Sequence, residues 1–269
     1  MKDLAILILS CDRYSELWKP FFLNFRLKWA DCSYPIYLLA NHKTFDADKV
    51  RTINVGDDAD WSSNLIRAID YIEEDYILTI FDDLFIKNDI NDKEFDEIFC
   101  DFKKYAMNYL SLSPDTRTQW NFGGNPYYLI PAGDFYRSSA VFTLWKKEVL
   151  YALLEKGENA WQFEFYGTDR TKQYSNWFAL NKKFFYYDNL LIKGKAMPTL
   201  YRALQSTLGE ITLSFPVASK IEEYRLNIKE SLFGCFWFLI PPISSKDYSS
   251  VLMGKCGGNR RGLYYTNCN

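Results

Sequence analysis

The chain has 269 residues, with 32 basic and 34 acidic side chains and 48% hydrophobic residues. This length suffices for one large domain or a domain with an appendage. The near-neutral charge gives no overall field for attracting nucleic acid, so no nucleic-acid partner is expected. Six scattered cysteines and a single histidine, His42, argue against a zinc site. We find no signal peptide and no run of about twenty apolar residues, and therefore expect a cytoplasmic protein.

Strand-like and helix-like segments alternate through the first half of the chain. The apolar run Leu4–Leu9 predicts a strand buried on both faces. A helix capped by Ser15 is predicted next, because large apolar residues recur at steps of four and three. These residues are Trp18, Phe22, Phe25 and Trp29. Further strands are predicted at residues 34–40, 51–55 and 76–80, and further helices at residues 65–72 and 95–106.

This alternation predicts an α/β fold with a mostly parallel central sheet flanked by helices. Ligands in such sheets bind beyond the carboxyl ends of the strands, where Asp12 and Asp82 are expected. In the second half, a loop containing Trp161 is predicted to precede a helix that begins near Thr168 or Asp169. Strands are predicted at 138–144, 184–187 and 190–193, a helix at 145–156, and a mainly helical extension from residue 200. The tail at 244–269 is rich in Gly, Ser and Asn.

The most informative motif is the acidic pair Asp82-Asp83, which directly follows the predicted strand 76–80. Two carboxylates fixed at a partly desolvated strand end are hard oxygen ligands. They suit a divalent cation and a diphosphate bound to it. Because Asp is also common in ordinary turns, the pair alone does not decide between a binding site and a solvated loop.

Two other segments are expected at the same edge of the sheet. Ser10, Asp12 and Arg13 follow the first strand, where a nucleotide can rest. The polar loop 56–64 leads into the next helix, and its amides and hydroxyls can hold a ribose or phosphate. The candidate ribose- or phosphate-binding residues of this loop are Asp58, Trp61, Ser62 and Asn64.

These motifs, in this order, resemble nucleotide-sugar-dependent glycosyltransferases of the GT-A fold, particularly small bacterial enzymes that build surface polysaccharides. The resemblance rests on residues 8–13, on Trp61-Ser62, on residues 77–86 and on residues 159–164. It implies a catalytic domain at 1–195, with a nucleotide-sugar-binding half at 1–110 and an acceptor-binding half at 111–195. Residues 196–269 then form the C-terminal extension.

The resemblance implies that Asp83 and Asp82 bind Mn²⁺ or Mg²⁺ together with the diphosphate of a donor, with a UDP-sugar favoured. In the family the motif is an Asp-any-Asp triplet. Here Phe81 or Leu84 replaces one acid, depending on the alignment. A metal-free enzyme would instead need basic residues to neutralise the diphosphate. The candidates for that role are Arg137, Arg170, Lys193, Lys195, Arg260 and Arg261.

An inverting glycosyl transfer also needs a base that deprotonates the acceptor hydroxyl, whereas a retaining one does not. The resemblance places this base late in the catalytic domain, where Glu164 is the first candidate and Asp169 the second. The implied acceptor is a saccharide or lipid-linked glycan, with peripheral contact at the inner face of a membrane. A sugar nucleotidyltransferase and a non-catalytic nucleotide- or carbohydrate-binding protein are the alternatives.

Overall fold

We describe the fold from a computed structural model, which covers residues 3–114, 125–134, 136–209, 211–226 and 228. The candidates Arg260 and Arg261 and the tail 244–269 lie outside these residues. The strands are β1 (Leu4–Leu9), β2 (Ile36–Ala40), β3 (Val50–Asn54), β4 (Tyr76–Phe81), β5 (Leu84–Ile86), β6 (Tyr109–Ser111), β7 (Tyr127–Leu129), β8 (Thr143–Lys146), β9 (Trp177–Leu180), β10 (Tyr187–Asn189), β11 (Leu191–Ile192) and β12 (Lys195–Ala196). The helices are α1 (Ser15–Lys28), α2 (Trp61–Ile69), α3 (Asp92–Lys104), α4 (Lys147–Leu153), α5 (Ala160–Arg170) and α6 (Pro198–Leu208).

Within the described residues, eight strands form the central sheet, in the order β3-β2-β1-β4-β8-β6-β9-β7. The first four strands are parallel, with Leu4 opposite Tyr76 and Leu9 opposite Phe81 where β1 meets β4. Strand β8 runs antiparallel to both β4 and β6. The carboxyl ends of β1, β2, β3 and β4 therefore share one edge of the sheet with the beginning of β8, and we call this the carboxyl edge.

The predicted α/β class, with parallel strands flanked by helices, is confirmed by this topology. All six residues of β1 are buried, as expected for a strand covered on both faces. Helix α1 buries Trp18, Phe22 and Phe25 against the sheet, and Trp29 directly follows it in the core. Helix α6 and the helical residues 220–226 agree with a helical extension in its described part.

Several local predictions were wrong. The strands predicted at 138–144 and 184–187 overlap only in part with β8 and β10, which begin at Thr143 and Tyr187. Ser15 is not a cap but the first residue of α1, because a short 3-10 turn at Asp12–Tyr14 leads directly into that helix. Helix α5 begins at Ala160 rather than near Thr168, because the Asn159 side chain and the Gln162 side chain each bond the backbone N–H of the other. Glu164 therefore lies inside a helix, not in a loop.

A second, smaller sheet links the carboxyl edge to the C-terminal extension. Strand β5 pairs with β10 and also packs along α1, where the Asn24 side chain bonds both backbone groups of Ile86. The extension returns to the start of α1: Ser214 N–H donates to Glu16 at 2.7 Å, and Phe215 stacks on Tyr14. Among the described residues, none of the helices has the length and apolar character needed to cross a bilayer.

Candidate active site

The acidic pair lies in the turn between β4 and β5, at the carboxyl edge. Asp82 is 4% exposed, and its backbone N–H bonds the carbonyl oxygen of Leu9 at the end of β1. The carbonyl oxygen of Asp83 accepts a 2.8 Å hydrogen bond from Leu190 N–H. The turn is thus held from both sides, by the central sheet and by the segment that follows β10. A turn fixed in this way presents its carboxylates at a defined position.

Ser10 connects the first strand directly to the acidic pair. Its hydroxyl donates to Asp82 Oδ2 at 2.5 Å and accepts from the indole N–H of Trp18 at 2.6 Å. Burial, followed by the neighbouring charge of Asp83, raises the pKa of Asp82 well above its usual range, and the Ser10 bond opposes this rise. Ser10 therefore orients a carboxyl that its surroundings disfavour as an anion.

Asp83 is partly exposed, and burial raises its pKa from 3.8 to about 7. Two adjacent carboxyls that burial makes costly to ionise would be stabilised as anions by a divalent cation. No three His, Cys, Asp or Glu side chains gather into a metal-binding group within the described ranges. A pair of carboxylates nevertheless fits Mg²⁺, which is commonly bound by one or two carboxylates together with substrate phosphates and water. The donor set at Asp82 and Asp83 is of this kind.

Asp12 organises the loops of the carboxyl edge. Its carboxylate accepts backbone N–H bonds from Asn41, His42 and Lys43 at 2.9 to 3.1 Å, and its own N–H donates to Asn41 Oδ1. Asn41 Nδ2 in turn donates to the carbonyl oxygen of Gly56, after β3. The loops that follow β1, β2 and β3 are therefore tied together. Asp12 supports the shape of the edge, while the neighbouring Arg13 side chain is exposed.

The loop before α2 is also fixed by its own side chains. Asp60 caps α2 by accepting from Ser63 N–H at 2.8 Å. Asn64 Nδ2 donates to the exposed Asp58 at 2.5 Å. The hydroxyl of Ser62 is buried and finds no hydrogen-bond partner within the described part of the chain. The loop thus contains polar side chains fixed by hydrogen bonds, together with the buried Ser62 hydroxyl, which has no hydrogen-bond partner in the described part of the chain.

Trp61 joins the acidic turn to α5. Its ring is nearly parallel to that of Phe81, at a centroid distance of 6.3 Å, and lies 5.3 Å from the ring of Phe163. Phe81 immediately precedes Asp82, and Phe163 immediately precedes Glu164. This chain of rings places the middle of α5 beside the carboxyl edge and explains how two distant segments of sequence reach one site.

Glu164 lies in a buried, hydroxyl-rich environment on α5. Its Oε1 accepts a 2.7 Å hydrogen bond from Ser139, which precedes β8 at the carboxyl edge. Gly167 allows α5 to pack closely on this segment, because a Cβ at that position would lie 3.0 Å from the hydroxyl of Ser138. Burial raises the pKa of the nearby Tyr109, and the charge of Glu164 raises it further. Glu164 is therefore a carboxylate oriented by a hydroxyl donor.

Asp169 occupies a different position. It follows Glu164 by five residues, which places it about 140° away around the helix axis, and it forms a 2.6 Å ion pair with Lys172. The structure thus does not bring the two candidate bases together. Asp169 remains the weaker candidate, because the ion pair already occupies its carboxylate.

Three of the basic residues proposed for a metal-free site are engaged elsewhere. Arg137 is buried and donates to the carbonyl oxygens of Ile130, Thr171 and Tyr174. Arg170 forms a two-pronged ion pair with Glu158, at 2.9 and 2.6 Å. These arginines stabilise the fold around α5.

Lys195 pairs with Glu222 at 2.8 Å. Lys193 stands in the tight turn between β11 and β12, with a positive φ of 53°. Among the described basic candidates for a metal-free site, Lys193 is the one for which contact with the diphosphate remains a prediction.

The sequence did not identify Asn41, Ser139 or Trp18 as site residues. Asn41 had a usable signal, since it is a polar residue directly after a buried strand. Trp18 gave none, because its spacing in α1 identified it as a core residue, and it is 2% exposed. Its indole N–H, however, is directed at Ser10.

No protein-family model matches the chain, and no significant match is found among curated proteins. Among solved structures, S. aureus TarS 1-349 is 10% identical with a TM-score of 0.48, over 70% of this chain and 60% of TarS 1-349. The complex of TarS 1-349 with UDP-GlcNAc gives a TM-score of 0.48 at 11% identity, over 70% of this chain and 58% of that one. The galactosyltransferase LgtC, in complex with donor and acceptor sugar analogues, is 12% identical with a TM-score of 0.41, over 76% of this chain and 78% of LgtC. The chain thus spans about 60% of the TarS fragment.

Proposed function

We propose that this protein is a glycosyltransferase that moves a sugar from a nucleotide-sugar donor to a saccharide acceptor. The observation that carries the proposal is the turn Asp82-Asp83 at the carboxyl edge. There Ser10 holds the carboxyl of Asp82, Leu190 N–H bonds the backbone of Asp83, and burial raises the pKa of both carboxyls by disfavouring their ionised form. A cation that carries the donor diphosphate would stabilise them as carboxylates, and the diphosphate is the reacting part of such a donor.

In this proposal Asp83 is the principal ligand of Mn²⁺ or Mg²⁺, and Asp82 supports it from the Ser10 side. When bound, the cation stabilises the negative charge of the leaving nucleoside diphosphate. The loop at 58–64 lies beside the turn through Trp61 and is assigned to the nucleotide and its ribose. Ser10, Asp12 and Arg13 complete this donor side.

Glu164 is assigned the role of base for an inverting transfer. The acceptor oxygen forms a bond to the anomeric carbon, the bond from that carbon to the diphosphate oxygen breaks, and the acceptor proton passes to Glu164. The Ser139 hydroxyl donates to Glu164 Oε1 and holds the carboxylate in one orientation. A retaining reaction would not use Glu164 in this way.

The biological setting that we propose is bacterial surface-polysaccharide synthesis on a lipid-linked glycan, in the cytoplasm at the inner face of the membrane. The support is the order of the motifs in the sequence. The structure bears on the chemistry of transfer rather than on this setting.

The direct test is a panel of nucleotide-sugars, scored for release of the nucleoside diphosphate with and without Mn²⁺, using the wild-type protein and Asp83→Ala. The proposal expects turnover of at least one donor, and loss of its metal-dependent part in Asp83→Ala. Turnover of none, or full metal-dependent turnover by Asp83→Ala, would overturn the assignment of the site. Tight donor binding without turnover would favour a non-catalytic binding protein.

A further inference from the structure

A cleft of about 650 Å³ lies between β10, β11, the start of α6 and the helical residues 220–226. Its lining includes Lys183, Tyr187, Asn189, Met197, Lys220 and Tyr224. We propose that this cleft binds the acceptor, and that the acceptor is an anionic glycan, one that bears a carboxylate or a phosphate. Calling the ligand an acceptor rests on the proposed transfer function. Binding of an anionic glycan in the cleft does not depend on that function.

The position of the cleft connects it to the acidic turn. Asn189 lines the cleft and pairs with Leu84, the residue directly after Asp83. The next residue, Leu190, donates its N–H to the carbonyl oxygen of Asp83. A ligand against Asn189 therefore lies next to the chain segment that holds the proposed donor site.

The surface of the cleft suits a sugar. Ile192, Met197 and Leu200 supply an apolar floor, and the rings of Tyr187 and Tyr224 flank it. Aromatic rings with a polar tip accommodate the apolar face of a pyranose while bonding its hydroxyls. Tyr224 is 68% exposed, so its ring is available to a ligand rather than used in the core.

A buried amide oxygen supports a ligand at this place. Asn189 Oδ1 is buried and has no hydrogen-bond partner among the residues that the structure describes. A buried acceptor without a partner costs free energy, and the cost disappears when a donor reaches it. A sugar hydroxyl is such a donor when the Asn189 side chain turns toward the cleft, because Oδ1 is itself shielded from solvent.

The charges of the cleft favour an anion. Among the described acidic side chains that line it, Asp188 pairs with Lys87 at 3.0 Å, whereas Glu223 accepts from the N–H and the hydroxyl of Thr199, two neutral donors that leave its charge in place. Lys183 only approaches the ring of Tyr187, at 5.9 Å, and Lys220 has no ion pair within the described ranges. The positive charges of the two lysines are thus the ones left to meet a ligand.

The test is saturation-transfer NMR and titration of the full chain with three probes: a uronic-acid disaccharide (cellobiouronic acid), glucose 6-phosphate and neutral cellobiose. Either anionic probe should bind more tightly than cellobiose, and the stronger of the two identifies the acidic group as carboxylate or phosphate. Lys220→Gln should weaken the anionic probe about tenfold, as expected for one charge-assisted contact. Tyr224→Ala should weaken all the probes that bind.

Two matched controls separate the cleft from general effects. Tyr71→Ala removes a tyrosine of similar exposure, 65%, that does not line the cleft, and Lys156→Gln removes an exposed lysine elsewhere. Neither control should change binding of the probes. Equal binding of cellobiose and the anions, no binding of any probe, or an unaltered response in both Lys220→Gln and Tyr224→Ala would overturn the proposal. Donor turnover by the wild-type protein is measured separately. It tests the proposed transfer function, whereas probe binding tests the cleft, so failure of one can be told from failure of the other.

Discussion

The charge of Asp83 gives a quantitative prediction about stability. Its pKa of about 7, against an ordinary 3.8, means that the folded protein holds the proton more tightly than the unfolded chain does. The stability of the metal-free protein therefore falls as the pH rises from about 4 to about 7, because ionisation is easier after unfolding. At about 1.4 kcal/mol per pH unit, the full difference is about 4 kcal/mol. Since the side chain is partly exposed, solvent screening reduces it to about 2 kcal/mol.

Asp83→Asn removes this cost, because an amide does not ionise, and it also removes the charge that raises the pKa of Asp82. In EDTA at pH 8, the variant should be more stable than the wild-type protein by about 2 kcal/mol, and at pH 5.5 by about half of that. Urea unfolding at both pH values measures the difference. Asp31→Asn, an exposed aspartate before β2, is the matched control and should show none. A variant that is less stable than wild type at pH 8, or a difference independent of pH, would refute the reasoning.

Three further changes test other parts of the site. Glu164→Gln should bind donor normally but lose transfer by about 10²-fold or more, as for removal of a general base; transfer at the wild-type rate would exclude Glu164. Ser10→Ala deprives Trp18 N–H and Asp82 of a partner and should lower the free energy of unfolding by about 1–3 kcal/mol in urea, whereas an unchanged midpoint would contradict the buried contact. Asn159→Ala removes the cap of α5 and should lower the free energy of unfolding, measured by thermal unfolding, by about 1 kcal/mol. An unchanged stability would contradict a start of α5 at Ala160.

The regular part of the fold could be predicted because its signals are local. Residues 4–9 and 76–80 are continuous apolar runs, and both are strands; the second extends to Phe81. The caps Asp60 and Asn91 were likewise recognisable, because a capping side chain acts within a few residues of its own position.

Helix α5 shows where pattern reasoning failed. Its capping residues Asn159 and Gln162 stood in the sequence, but the aromatic residues around them do not follow a helical apolar stripe. Phe163 meets Trp61, while Phe165 stacks on Trp161 at 5.4 Å, so aromatic contacts lie on more than one side of the helix. Packing on several sides removes the periodicity that a sequence reader relies on.

The acidic turn of the candidate site could be predicted from the sequence, but the hydrogen bonds that hold the surrounding loops could not. The Asp82-Asp83 pair follows a strand and was recognised for that reason. The clamp between Asp12 and the amides of residues 41–43 joins positions about thirty residues apart through backbone groups, which leave no trace in side-chain identity. The cleft beside Asn189 depends in the same way on the return of the C-terminal extension.

The most direct test of the central claim is calorimetric binding of UDP to the wild-type protein, with Mn²⁺ and then with EDTA, repeated with Asp83→Asn and Asp31→Asn. The acidic turn as a cation and diphosphate site predicts binding that depends on Mn²⁺ in the wild-type protein and in Asp31→Asn, and that is lost in Asp83→Asn. Mn²⁺-dependent UDP binding of equal strength in Asp83→Asn would contradict it.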